Sequence, residues 1–338
     1  MRTSRFLLCG LLGSLFQSSQ ASAWGSDGHH TIGAIADQLL IGTHAAVEVK
    51  AILGNLSLQD ASVWADCAKG IDPDQNFTYP APGKYPACSI YETTAGEAEM
   101  GDFVRRNNTN CAPKPGEEIC HKQYHYSDVA IQNDHYDGSF AGTRTDDIVG
   151  AVVAATHVLK GDPAPAPFDF KDKREALLVL THYVGDLHQP LHVGAVYLSA
   201  QGERVNPDAN TFSPNTETRG GNQITVKGGT MNLHATWDAI PTSLTVSHVG
   251  AAGEVLLNNA KAVPDTTGQV FAWPTSWAAD TVVEAQQAFT GITFGKLQNG
   301  HWMATLPPNY NKKMAQIKKS QIPKADARLA QLLKAIWP

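Results

Sequence analysis

The residues most able to do chemistry are histidines and aspartates set four apart. From Thr181 to His192 the chain reads Thr-His-Tyr-Val-Gly-Asp-Leu-His-Gln-Pro-Leu-His. On a helix, His182 and Asp186 leave the same face one turn apart. Pro190 ends that helix and turns His192 towards the same region from another direction. A second pair, His234 and Asp238, stands in Asn-Leu-His-Ala-Thr-Trp-Asp. Imidazole nitrogen with carboxylate oxygen is a common donor mixture for zinc. Either pair alone reads as a surface His–Asp hydrogen bond. Two pairs and a further histidine, in a chain with 13 histidines, shift the balance towards metal.

Earlier segments add candidates. Trp24-Gly25-Ser26-Asp27-Gly28-His29 has glycines that let Trp24 fold back towards His29. Asp66 closes Ala-Ser-Val-Trp-Ala-Asp, and Lys69 follows three residues on. Tyr124-His125-Tyr126-Ser127-Asp128 sets a histidine beside an aromatic ring and an acid. Singly, Trp24 passes as a core anchor, His29 as a cap partner, Asp66 as a surface acid and Lys69 as a solvated lysine.

The elements that must position these groups are mostly helices. Apolar residues recur at three-to-four spacing over His29–Ile41, Arg144–Leu159, Lys173–Asp186, Trp277–Phe289 and Tyr310–Ile336. Gly and Pro mark Asp72–Pro86 and Asn206–Pro214 as surface loops. Gln223–Val226 alternates between Gly-Gly pairs and suggests a small hairpin. The fold class is therefore mainly α: one helical domain with long loops on one face.

The first residues stand outside that domain. Arg2 and Arg5 lead into an apolar run from Phe6 to Phe16, closed by Ala21-Ser22-Ala23. This is the pattern of a secretory signal cleaved after Ala23. The run falls short of the ~20 apolar residues that span a bilayer. The expected division is a signal at 1–23 and a mature domain at 24–338, secreted or periplasmic, with no membrane span and monomeric. Cys9 leaves with the signal, and Cys67, Cys88, Cys111 and Cys120 remain. An even number in an exported chain favours two disulfides. Spacing does not fix the pairing. Cys111 and Cys120 flank a short loop, which favours that pair and leaves Cys67 with Cys88. A cysteine-ligated zinc site has no C-x-x-C pair to build on. Asn55, Asn76 and Asn107 begin N-x-S/T sequons.

Taken together, the set resembles the S1/P1 zinc-dependent nucleases, which share their fold with bacterial zinc phospholipases C. The resemblance runs from Trp24 through Asp238 and is expected to extend over the whole mature chain. It implies three Zn²⁺: one on Asp66, His125 and His182, with Asp186 bridging to a second. The second takes the amine and carbonyl of Trp24, His29 and the other oxygen of Asp186. The third sits on His192, His234 and Asp238. His188, His30, His44, His121 and His135 receive no ligand role. The implied reaction is in-line attack on phosphorus by zinc-activated hydroxide, giving 5′-phosphate products from single-stranded DNA and RNA. 3′-Nucleotidase activity is implied as well. Asp66 and Lys69 match catalytic positions, with Lys69 neutralising charge on the phosphate. Tyr126 and Asp128 match base-binding positions, and Asn222 a nucleotide-contacting segment.

Without Arg2 and Arg5 the chain carries 24 basic and 32 acidic residues, a net charge of −8, unlike an ordinary nucleic-acid binder. Three zinc ions among three ligand aspartates leave the cleft at about +3, which removes the objection. Two other readings compete. A zinc phospholipase C shares the metal centre, but Tyr126 with Asp128 favours a base over a choline headgroup. A non-catalytic zinc carrier has no use for Lys69 and the base pocket. The polar segment Tyr197–Arg219, between two ligand blocks, is expected to form a rim that modulates substrate access.

Overall fold

The computed structural model describes residues 24–113, 118–209, 212–246 and 251–338. The proposed signal segment therefore lies outside the described residues. Helices are α1 (Gly25–Leu40), α2 (His44–Leu53), α3 (Leu58–Ala61), α4 (Trp64–Ala68), α5 (Thr94–Arg106) and α6 (Cys120–Gln123). They continue with α7 (Ile148–Lys160), α8 (Lys173–Asp186), α9 (Leu233–Asp238), α10 (Ala251–Lys261), α11 (Trp273–Phe289) and α12 (Tyr310–Ile336). The strands are short: β1 (Val129–Ala130), β2 (Gly194–Ala195), β3 (Tyr197–Leu198), β4 (Arg204–Val205), β5 (Ile224–Val226), β6 (Thr293–Gln298) and β7 (His301–Thr305). The fold is mainly α, as the helical periodicity implies.

Helix α8 is the axis of the molecule. It packs against α1, α2, α3, α4, α7 and α12. All its residues from Glu175 to Asp186 are buried. Asp172 caps its start by accepting from the Glu175 amide, and Asp147 caps α7 through Val149 and Gly150. A helix hydrophobic all round belongs in a core, so polar residues at its buried end, His182 and Asp186, need partners inside the protein. No helix among the described residues is long and apolar enough to cross a membrane.

The expected hairpin at Gln223–Val226 is corrected by the structure. Residues 224–226 form β5, which pairs in parallel with β7, and the hairpin itself is β6–β7 at 293–305. The chain leaving β5 turns into α9 after one bridge, Thr225 to Asn232, so its ladder partner comes from the far end of the sequence. A second apolar cluster under this sheet gathers Ile224, Leu233, Trp237, Phe289 and Trp302.

The two disulfides are Cys67–Cys88 and Cys111–Cys120. Of the sequon asparagines, Asn55 and Asn76 are exposed, while Asn107 is buried. Its amide donates to Phe103 and Asp169 carbonyls and accepts from the Asp169 amide. Within Tyr197–Arg219, β3 and β4 pair, and the Tyr197 hydroxyl donates to the Asp128 carbonyl. That segment is thus anchored at its start beside Asp128; residues 210–211 lie outside the described ones.

Candidate metal centre

Four helices and one strand pairing bring the proposed ligands together. His182 and Asp186 stand at the end of α8. His29 lies on the first turns of α1, and Asp66 on α4. Parallel pairing of β1 with β2 lays the His125–Ala130 segment beside His192–Ala195. Its ladder runs from the Ser127 amide to the His192 carbonyl at 2.8 Å and from Val129 to Val193 at 3.0 Å. This alignment joins His125, Tyr126 and Asp128 to His192, and α9 supplies His234 and Asp238.

Three groups result, each with its donor atoms within 4.8 Å of one another: His29, Asp66 and His182; His125, His182 and Asp186; His192, His234 and Asp238. The first two share His182. Asp186 faces both ways, with Oδ1 at 3.1 Å from His29 Nε2 and Oδ2 at 2.9 Å from His125 Nδ1 and 3.1 Å from His182 Nε2. Asp66 Oδ1 lies 3.5 Å from His182 Nε2. The His29 and His182 rings stack at 3.9 Å.

Second partners fix the ring orientations. His182 Nδ1 donates to the Ser62 carbonyl at 2.6 Å, His192 Nδ1 to His125 at 2.8 Å, and His234 Nδ1 to Gly220 at 2.9 Å. Each Nε2 is then the lone-pair end when the ring is neutral. Burial lowers His192, and lowers His234 to about 3, so both are neutral at pH 7. Their Nε2 atoms nevertheless face each other at 3.0 Å. Two acceptors at that distance repel unless a cation lies against both. Two nitrogens ~2.0 Å from a tetrahedral ion sit about 3.3 Å apart.

A second mismatch appears at Asp186. His29 Nε2 and Asp186 Oδ1 are both fully buried and 3.1 Å apart, yet neither makes a hydrogen bond. Buried polar atoms without partners call for an explanation, and ligation of a common ion supplies one. Asp238 Oδ2 is likewise unpartnered, while Oδ1 accepts from Gln189 Nε2 at 2.7 Å. The donor set of imidazole nitrogen and carboxylate oxygen fits zinc.

The electrostatics agree. Burial, reinforced by His182, takes His29 down to about 4, and burial with Lys69 holds His125 well below the usual range. His182 goes the other way: burial opposes its charge, but Asp186 and Asp66 outweigh that and raise it. Burial works against ionised Asp186, yet His182 and His192 keep it well below the usual carboxylate range. Burial raises Asp238 well above its usual value, against the pull of Gln189 and Lys318. His29, His125, His192 and His234 are thus held as neutral lone pairs beside an ionised Asp186.

Of the remaining expected residues, Lys69 Nζ lies 2.5 Å from Asp66 Oδ1, with burial working against its charge and Asp66 restoring it. Trp24 is buried, with its indole N–H donating to the Gly185 carbonyl at 2.9 Å, next to Asp186. Tyr126 is half-buried and Asp128 buried, in the strand-like run after His125. Asn222 donates to the Arg219 carbonyl and accepts from Asn232 Nδ2 at 3.3 Å, so it braces the entry to α9. His188 is held by the Val184 carbonyl and Arg328. His44 and His135 are exposed, His30 is half-buried, and His121 is buried with neither ring nitrogen hydrogen-bonded.

Sequence reading missed Gln189 and Lys318. The Gln189 amide donates to Asp238 and accepts from the Leu191 amide, tying one proposed ligand of the third group to the residue before another, His192. Its signal, a glutamine just before the helix-ending Pro190, carries no chemistry by itself. Comparison with curated proteins gave no match. A model of the S1/P1 nuclease family, in contrast, matches residues 24–338, and the chain belongs to that family.

Proposed function

We propose that the protein is a zinc-dependent endonuclease that hydrolyses single-stranded DNA and RNA to 5′-phosphate products and also dephosphorylates 3′-nucleotides. The observation that carries this reading is the facing pair of unprotonated nitrogens on His192 and His234, beside the doubly directed Asp186, in an S1/P1 family chain.

Asp66, His125, His182 and Asp186 would hold one ion, Trp24, His29 and Asp186 a second, and His192, His234 and Asp238 a third. Zinc at such sites supplies Lewis-acid charge and lowers the pKa of water towards neutrality. The protein's own residues do the rest. Lys69, held against Asp66, presents an ammonium to the phosphate and offsets charge that builds on its oxygens. Tyr126 offers a ring on which a base stacks, worth ~1–3 kcal/mol per base. Asp128 accepts from the edge of that base. Stacking needs a base freed from its duplex neighbours, hence the preference for single strands.

The release of Trp24 as the mature terminus, after export and removal of residues 1–23, belongs to the same proposal, since only a free amine donates to a metal. The glycines beside Trp24 and its buried indole support that placement. The test is hydrolysis by purified protein of single-stranded DNA, duplex DNA and phosphatidylcholine, with and without chelator. Cleavage of the single strand to 5′-phosphate ends, lost on chelation and restored by zinc, is expected. Activity that ignores the chelator, or attack on phosphatidylcholine with the single strand left intact, overturns it.

A further inference from the structure

Lys318 is a lysine where lysine is least expected. It lies in the middle of α12 with 1% of its surface exposed. Its ammonium donates to the Thr236 carbonyl at 2.9 Å and the Ala239 carbonyl at 2.6 Å. It also stands 5.6 Å from the centre of the Trp237 ring. All three residues belong to the end of α9.

That end is weak by construction. Helix α9 has six residues, Leu233–Asp238, too few to be stable alone. The last carbonyls of any helix lack intrahelical partners and carry its negative partial charge. Here those carbonyls flank Asp238, with His234 one turn earlier, so fraying would move two proposed ligands. The start of α9 is capped by Asn232, which accepts from the Ala235 amide at 2.7 Å. The far end has no such residue of its own, and α12 supplies the cap from 79 positions away. A second tie runs parallel: the Trp237 indole donates to the Tyr310 hydroxyl at 2.8 Å, and that hydroxyl donates to the Ala288 carbonyl. Burying an ammonium is costly unless it is hydrogen-bonded and near opposite charge. Burial lowers Lys318 to about 8 against the pull of Asp238, so at pH 7 it is still an ammonium, held by its two carbonyl hydrogen bonds.

We infer that Lys318 is a positioning residue for the His192, His234 and Asp238 group: it clamps the end of α9 so that His234 and Asp238 hold the geometry a metal ion needs. The inference rests on reading that group as a zinc site.

Zinc affinities are to be measured by chelator competition, with zinc counted by elemental analysis, on wild type, Lys318→Met, Lys318→Gln, His234→Ala and the double variants. Partners that orient metal ligands typically change affinity by ~10–100-fold. Lys318→Met should weaken one zinc by that factor and leave the others unchanged. Lys318→Gln, which keeps two N–H donors, should recover part of the loss and serves if the methionine variant does not fold. In the His234→Ala background, where that zinc is already gone, changing Lys318 should cost no further zinc. Unchanged affinities in folded Lys318 variants overturn the inference. So does an equal weakening of every zinc in both backgrounds, the mark of general destabilisation. Wild type without zinc would sink the metal reading itself, which is a distinct outcome.

Discussion

One carboxylate, Asp186, faces His29 through one oxygen and His125 and His182 through the other. A side chain so placed can serve two ions, whereas His29 can serve one. Asp186→Ala should therefore release more zinc per molecule than His29→Ala, as elemental analysis of the folded variants would register; equal metal content would contradict the bridging role. The grouping of these residues was legible because such pairs obey helical spacing: His182 with Asp186 and His234 with Asp238 are each four apart. Gln189 and Lys318 were not, because their partners lie 49 and 79–82 positions away and no local pattern reports a contact set by packing. Asn222, expected to contact a nucleotide, has its amide engaged with Arg219 and Asn232.

At the scale of elements, the turn before β5 carries the tightest constraint on the third group. Gly220 has φ +55°, and a Cβ added there would stand 2.2 Å from the Leu191 carbonyl oxygen. Its own carbonyl accepts from His234. Gly228 offers an internal comparison, with φ +77° and open space around a Cβ. Gly228→Ala should cost ~1 kcal/mol, the usual penalty of left-handed backbone. Gly220→Ala should cost at least twice that, because the backbone must shift as well, and urea unfolding of the two variants measures the difference. Long helices such as α8 and α12 were readable from periodicity. The β5–β7 pairing was not, since three residues of alternation cannot name a partner more than 70 positions away. The cysteine pairs follow the sequence expectation, with separations of 9 and 21 residues.

For the whole molecule, acid sensitivity follows from histidines buried as neutral rings. His121 is buried with both nitrogens unpartnered, and burial lowers its pKa to about 3. Above pH 6.5 the ring is neutral whether the chain is folded or not. Below that, the unfolded chain binds a proton that the folded one refuses, so stability falls with pH towards 3. Between pH 7 and 4.5 His121 should remove about 3 kcal/mol, and His121→Phe should lose that much less across the same interval in urea unfolding. Chain order has its own effect. Every proposed zinc ligand lies at or before residue 238, yet β7 and Lys318, which brace β5 and α9, lie beyond residue 300. Proteins emerge from the ribosome amino terminus first. A nascent chain thus carries all its would-be ligands while the proposed clamp on two of them is still being translated, so on the reading proposed above the third group reaches its geometry only after α12 has been made.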